Sequence, residues 1–577
     1  MNPLHSNAAI ERIRTRFSRL YPDHVPSSLN RLQMMIGRYG VGYGDRHPST
    51  RWSEKDAVLI TYGDTVRSPD ATPLQTLRRF ATRHFMGAFS TIHLLPFYPY
   101  SSDDGFSVID YRKVDPDLGN WKDINSLKDH FDLMFDWVLN HVSAKSDWFR
   151  GYRNRILPYR EFFIEASRES DLSQVTRPRT SPLLSAVATK TGTRHVWTTF
   201  SSDQVDLNWE NPDVFFEMLD ILFGYIANGA RIVRLDAVAF LWKRIGTSCL
   251  HLDETHEVIR LIRDILEWAA PSVIILTETN VPHPENISYF GSGDEAHMVY
   301  QFTLPPLLLH GLLKGTAQPL TQWASQLPEL PPHCTYFNFT ASHDGIGIRP
   351  LEGILPDEEI AFLKQSVEER GGRLSHRTHP DGSQSVYEMN VTYFSALGEP
   401  DAQNTARGEE RFLCSQIVAS SLRGIPGIYF HSLCATQNDD EGVQASGIPR
   451  RINRKKWSEE ELERRLNDSD THHHRIFFPL IEILRRRSRC ESFHPEGSQT
   501  ILDLDERVFA LIRSAPGENH HVLCLHNFSG DSLTLNVRSF IKGIPGRELI
   551  SDTPFPPDGD RITLGPYQCA WIESHQD

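Results

Sequence analysis

"RIVRLDAVAF", residues 231–240, reads as a buried strand that carries an ion pair. Ile232, Val233, Leu235, Val238 and Phe240 are apolar, but Arg234 and Asp236 are charged. Residues two apart on a strand share a face, so the guanidinium and the carboxylate are expected to point the same way.

Seven further stretches have the same short apolar character: 57–64, 91–97, 133–139, 272–280, 297–303, 335–344 and 425–432. Helical patterns lie between several of them, such as "NPDVFFEMLDILFGYIANG" and "DETHEVIRLIRDILEWAAP". Each begins near Asn or Asp and ends near Gly or Pro, as capping predicts. Strands that alternate with helices imply parallel βαβ units, and eight of them imply a (β/α)8 TIM barrel. The expected α/β chain has an N-terminal helical extension over 1–50 and a barrel over 51–497. Two inserted subdomains interrupt the barrel, 145–205 after the third strand and 346–392 after the seventh. From 498 to 577 short strands with turns predict a C-terminal all-β domain. Long insertions at strand C-termini usually build the mouth of an active site.

The chain of 577 residues is 39% hydrophobic and 23% charged, as in a soluble globular protein, with a formal charge of −14. That balance argues against nucleic acid or an anionic membrane as the main partner and allows an anionic small molecule met by local arginines. The first residues lack the apolar core of a secretory signal, and no apolar run has the length of a membrane span. The seven cysteines are scattered, with no CxxC pair, which speaks for reduced thiols in the cytoplasm and against a zinc site or disulfide framework. "THHHR" is read as a polar helix start. Monomer and homodimer both remain open.

Polar residues gather at the C-terminal ends of the predicted strands: Asp64, His93, Asp136 with Asn140 and His141, Arg234 with Asp236, Glu278, and His343 with Asp344. In a barrel these ends converge on one face, where barrel active sites lie. Two carboxyl groups flanking a glycosidic bond are the minimal retaining glycosidase apparatus. Arg234 is expected to keep Asp236 ionised as nucleophile, and the apolar "VIIL" before Glu278 to keep it protonated as general acid. Asp344 would grip the sugar hydroxyls as the ring flattens. Asp136 is expected to position its neighbours, with His141 as one group it could hold. Phe97 and Tyr98 suit either packing or sugar stacking.

"DWVLNH", "RLDAVAF", "TETN" and "FTASHD" resemble, in order, the four sequence regions of glycoside hydrolase family 13, the α-amylase superfamily. The resemblance implies the same roles for Asp236, Glu278 and Asp344, and sugar contacts from His93, His141, Arg234 and His343. "LITYGD", "HLLPFYPYSSDDGFSVIDY", "SHDGIGIRPLEGILPDEEI" and "RINRKKW" are similar to the sucrose-phosphorylase-like branch. That branch implies transfer of glucose to inorganic phosphate through a β-glucosyl–Asp ester, with no pyridoxal phosphate and no metal. It also implies glucose contacts from Asp64 and Arg454, an acceptor-side wall from Phe200 and Gln204, and phosphate binding by Arg179 with Tyr387.

Three positions depart from sucrose phosphorylases: Phe240 for Tyr, Asn280 for His and Glu388 for Gln. With "ETNVPHPENISYFG" and "YEMNVTY" the pattern looks like the glucosylglycerate phosphorylases, with Glu388 accepting from glyceryl hydroxyls and Arg177 or Arg179 meeting the carboxylate. The same carboxylates would serve glucosylglycerol, sucrose 6-phosphate or sucrose phosphorolysis, or hydrolysis if water takes the place of phosphate. A non-enzymatic family-13 scaffold would be expected to lose a catalytic carboxylate and to carry a membrane anchor. This chain keeps all three carboxylates and shows no run of anchor length.

Overall fold

The computed structural model describes residues 3–40, 51–378, 382–400, 405–556 and 559–575. Residues 41–50 of the expected N-terminal extension and 379–381 of the second insertion lie outside the described residues. Eight parallel strands close into a barrel: β1 (Val58–Thr61), β2 (Thr91–Leu94), β3 (Asp132–Val138), β4 (Ala230–Asp236), β5 (Ile274–Thr277), β6 (Met298–Tyr300), β7 (Thr335–Phe339) and β8 (Ile425–Tyr429), the last pairing with β1. All eight apolar stretches supply one strand each. Their buried faces and β-branched or aromatic residues suit strands covered on both sides.

Seven of the strands are shorter than their apolar patterns suggest, and three of these place site residues. β4 stops at Asp236, because Ala237 turns the chain with φ +50° into a 3-10 turn, Val238–Phe240. β5 ends at Thr277 and β7 at Phe339, which leaves Glu278, His343 and Asp344 on the loops beyond. The register sets Arg234 on β4 opposite Asp136 on β3, and Asp236 opposite Val138.

The helix Pro212–Ala227 starts as its sequence predicts: the Asn211 side chain accepts from the Asp213 amide and Pro212 takes the first turn. Two N-terminal helices, α1 (Pro3–Leu20) and α2 (Val25–Tyr39), pack against the outer ring of helices. Phe17 meets the rings of Phe215 and Phe216 at 5.7 and 5.9 Å, and Arg16 pairs with Glu257, Asp264 and Asp294.

After β3, strands His141–Ser143 and Gln204–Asp206 pair antiparallel, and Leu184–Thr189 with Gly192–Trp197 forms a hairpin. After β7, a helix (Asp357–Glu369) and a three-stranded sheet (Ile346–Gly347, Gln384–Asn390, Arg373–Thr378) follow. From Ser498 onward the described residues form a six-stranded antiparallel sheet and a two-stranded ribbon. This sheet shares an apolar core with the helix Leu304–Lys314, through Phe509, Phe528 and Trp571. Full burial of a phenylalanine such as Phe528 contributes up to about 3 kcal/mol, which holds the β domain firmly on the barrel.

"THHHR" starts a helix: Thr471 caps it by accepting from the His474 amide, and His473 and His474 anchor it by bonding the carbonyls of Cys434 and Leu466. All seven cysteines are free and buried. Among the described residues no helix is long and apolar enough to cross a membrane.

Candidate active site

The strand C-termini open into a cleft. Its wall includes Asp236, Glu278 and Asp344, with Arg234, His141, His343, Phe200, Gln204, Glu388, Arg179 and Tyr387. Eleven residues expected from the sequence thus share one wall, although they come from four barrel strands or the segments after them and from both insertions.

Arg234 organises the floor. Its Nη1 donates to Oδ1 of Asp136 at 2.5 Å and to Oδ1 of Asp236 at 2.7 Å, and its Nη2 stands 3.8 Å from Oε2 of Glu278. The rings of Phe106 and Tyr300 lie 5.6 and 5.7 Å from the guanidinium and dry it. His93 donates to the other oxygen of Asp136 at 2.7 Å, so Asp136 fixes Arg234 and His93 together.

Oε2 of Glu278 accepts from the amide of Ala237 at 3.0 Å. The left-handed turn at Ala237 therefore does two things: it ends β4 at Asp236 and aims the next amide at the second carboxylate. A non-glycine residue in that region of backbone space is uncommon and costly, and such positions cluster at functional sites.

Burial raises both carboxyl groups, Glu278 to about 7 and Asp236 to about 6, against the pull of Arg234. For Glu278 this is the direction its apolar strand predicts. For Asp236 it is the opposite of the expected depression. Arg234 is shared with Asp136, so its charge does not offset the desolvation of Asp236. Asp344 is the low member: His343 and Arg450 hold it below the usual carboxylate range despite burial. Nη1 of Arg450 lies 2.7 Å from Oδ1 of Asp344, and Nε2 of His343 lies 3.3 Å from Oδ2.

Three expected sugar contacts are not among the cleft-lining residues. Asp64 is engaged by Lys456 and Arg67, Arg454 donates to His343 O and to Asp104, and His93 is held by Asp136. Asp103 and Phe106, on the loop before β3, line the wall instead, and the Phe106 ring stacks on His343 at 4.6 Å. His141 does not hold Asp136; its Nε2 donates to Phe106 O at 2.9 Å. Phe97 and Tyr98 are fully buried, with the Tyr98 hydroxyl donating to Asp136 O, so they pack rather than line the cleft.

The wall that the resemblance implies for the acceptor is aromatic and cationic. Phe200 meets Phe240 edge-on at 5.4 Å and His141 at 5.2 Å. Arg179 lies over the Tyr387 ring at 5.5 Å, whereas Arg177 donates to Ser181 O in its own loop. Both oxygens of Glu388 are bonded by Arg450, at 2.6 and 3.0 Å, and the side chain is 1% exposed. Glu388 thus lines the cleft with both of its oxygens held by Arg450. Sequence reasoning missed Arg450, Arg349 and Arg377. "PRRINRKK" signals cations near a strand end, but nothing in it tells which of them turns inward.

Lys243 ties the first insertion to the barrel. It is buried, and its ammonium meets Asp206 at 2.6 Å, Asn140 at 2.6 Å and Phe240 O. Among the described residues no group of three or more His, Cys, Asp or Glu side chains is placed to hold a metal ion.

A closed parallel barrel with three carboxylates around a buried arginine at its strand ends is an α-amylase-type catalytic domain, and the chain belongs to the α-amylase family, glycoside hydrolase family 13. The model of the alpha amylase catalytic domain matches residues 86–327, and that of the maltogenic amylase C-terminal domain matches 499–571. Within the family the chain is similar over nearly its whole length to glucosylglycerate phosphorylases. That of Escherichia coli (strain K12) is 45% identical over 90% of this chain and 92% of that one. That of Allomeiothermus silvanus is 45% identical over 96% of each. The fold is also similar to the crystal structure of sucrose 6F-phosphate phosphorylase from Thermoanaerobacter thermosaccharolyticum, with a TM-score of 0.72, 25% identity, and coverage of 84% of this chain and 96% of that one.

Proposed function

We propose that the chain is a retaining glycoside phosphorylase that converts 2-O-α-D-glucosyl-D-glycerate and inorganic phosphate into α-D-glucose 1-phosphate and D-glycerate. The observation that carries this reading is the 45% identity to glucosylglycerate phosphorylases across 90–96% of the chain. The cleft is consistent with it. Asp236, ionised, attacks the anomeric carbon as Glu278 gives its proton to the departing glycerate oxygen. The β-glucosyl ester on Asp236 is then displaced by a phosphate oxygen, whose proton returns to Glu278. Two inversions give net retention. Asp344, kept charged, is suited to grip ring hydroxyls as positive charge develops. Arg234 and His343 complete the glucose seat, and Arg179 with Tyr387 meets the incoming phosphate. A guanidinium matches phosphate in shape and charge.

Inorganic phosphate is a substrate in this scheme, and neither a metal nor pyridoxal phosphate enters it. The test is phosphate-dependent release of glucose 1-phosphate from four donors: glucosylglycerate, glucosylglycerol, sucrose and sucrose 6-phosphate. Release from glucosylglycerate that requires phosphate, and that Asp236→Asn abolishes, is the expected result. Free glucose at the same rate with or without phosphate would mean a hydrolase. A preference for glucosylglycerol would remove the carboxylate from the substrate.

A further inference from the structure

The second insertion brings two guanidinium groups to the cleft that the family resemblance did not suggest. Arg349 sits on the turn Arg349–Leu351 and Arg377 on the strand Arg373–Thr378, and both line the same wall as Asp236 and Glu278. They converge on one atom. Nη2 of Arg377 lies 3.4 Å from Oε1 of Glu352, and Nε of Arg349 lies 3.7 Å from the same oxygen. Neither contact is a well-formed hydrogen bond, and Nε of Arg349 is buried with no hydrogen-bond partner. The second acid near Arg349 is Glu285, at 3.9 Å. Glu352 and Glu285 are 47% and 42% exposed, so solvent screens both. Burial and the neighbouring charge of Arg349 push Arg377 below its ordinary value. Two positive groups thus face the cleft with weak compensation, which is the electrostatic signature of a seat for an anion.

A short path joins this pair to the acid/base. Asn280 stands two residues after Glu278 and lies hard against Gly347, where an added Cβ would fall 2.4 Å from the Asn280 oxygen. Gly347 in turn stands two residues before Arg349. Nε of Arg377 donates to Ser385 Oγ at 3.2 Å, which leaves its Nη2 to the long Glu352 contact, whereas Arg177 bonds Ser181 O, Arg450 serves Asp344 and Glu388, and Arg179 lies on the other side over the Tyr387 ring.

We propose that Arg349 and Arg377 form the seat for the carboxylate of the glyceryl leaving group, separate from the Arg179 side that meets phosphate. This rests on the phosphorylase reading above. In the protein without substrate, Glu352 offers the pair a loose internal carboxylate. The carboxylate of glycerate would replace it with paired, charge-assisted hydrogen bonds. Glycerol has no group for this seat, so the pair would separate the acid from the polyol.

The experiment uses synthesis from glucose 1-phosphate with D-glycerate or glycerol as acceptor, for the wild type and for Arg349→Gln and Arg377→Gln. KM for D-glycerate is expected to rise roughly 10- to 100-fold in each variant, the range for loss of a charged hydrogen bond. KM for glucose 1-phosphate, and its slow hydrolysis without acceptor, should stay within about threefold, because they report the phosphate seat and the chemistry. Arg349→Lys and Arg377→Lys, which keep the charge but not the fork, should fall between. They carry the same test if a glutamine variant fails to fold. Unchanged KM for D-glycerate overturns the proposal, and so does an equal rise in KM for glucose 1-phosphate. A wild type that uses glycerol but ignores D-glycerate overturns the substrate reading itself.

Discussion

Arg234 and Asp236 are joined by a hydrogen bond of 2.7 Å, and the nitrogen that makes it also serves Asp136 at 2.5 Å. The shared donor explains why Asp236 is raised rather than lowered. Arg234→Lys would keep the positive charge without the planar fork, and the more deeply buried Asp136 would retain it. Asp236 would then rise further. A nucleophile must be ionised, so activity in the wild type should fall as the pH drops through about 6. In the variant this acid limb of kcat/KM should move up by about one unit, equivalent to ~1.4 kcal/mol. A pH profile of phosphorolysis measures it, and an acid limb that stays in place would refute the coupling.

Ala237 and Glu278 make a second testable pair. Glu278 must carry a proton, so activity should fall as the pH rises through about 7. The Ala237 amide favours the ionised form of Glu278. Ala237→Val would strain a backbone position with φ +50°, at a cost of about 1–3 kcal/mol, and would pull the amide away. The expected result is a lower Tm and a basic limb displaced to higher pH. Ala237→Gly accepts the same backbone and should leave the basic limb where it is. If valine and glycine behave alike, the turn does not set Glu278.

Most of the barrel was legible because alternation and apolar runs report burial directly. Each of the eight predicted stretches overlaps its strand, with β3 and β4 each beginning one residue earlier. Polar residues at strand ends stood out against that background, which is how Asp236, Glu278 and Asp344 were found. What stayed hidden depends on contacts distant in sequence. The branch resemblance implied glucose contacts from Asp64 and Arg454, and the structure adds that Lys456 engages Asp64 and that Arg454 engages Asp104. No local pattern announces such partners. Arg349 and Arg450 lie on 3-10 turns, where no period fixes which side chain turns inward, and Arg377 lies on a bulged strand without apolar alternation. The sign of the Asp236 shift was missed for the same reason: whether Arg234 has a second carboxylate to serve depends on the β3–β4 register.

Lys243 supplies the positive charge between the barrel and the first insertion, paired with Asp206 at 2.6 Å. Lys243→Met would strand a fully buried carboxylate, and breaking such a pair costs about 3–5 kcal/mol. Urea unfolding should register that loss. Lys243→Met with Asp206→Asn should recover part of it, since no charge is left alone. Because a side-chain ammonium holds this junction, dialysis against a chelator should leave both Tm and phosphorolysis unchanged. A drop in either after chelation would place a metal in the working enzyme.

The chain from Glu388 through Arg450 to Asp344 should behave as one unit. Arg450 holds Glu388 with two hydrogen bonds and Asp344 with one ion pair of 2.7 Å. Arg450→Gln leaves the buried Glu388 and the partly exposed Asp344 without their cation, so it should destabilise the protein by about 3–5 kcal/mol, mostly through Glu388, and remove most activity. Glu388→Gln leaves Arg450 on Asp344 alone. The tightened pair would draw Asp344 from the hydroxyls it is proposed to grip, lowering kcat/KM by roughly 10- to 100-fold, or ~1.4–2.7 kcal/mol. In Glu388→Gln/Arg450→Gln one stranded charge is gone, so the double variant should be more stable than the sum of the two single losses implies. A coupling energy of about 1–3 kcal/mol in a double-mutant cycle is the expected value. Additivity within ~0.5 kcal/mol would mean that Glu388 and Arg450 act independently, and that Glu388 reaches the substrate by another route.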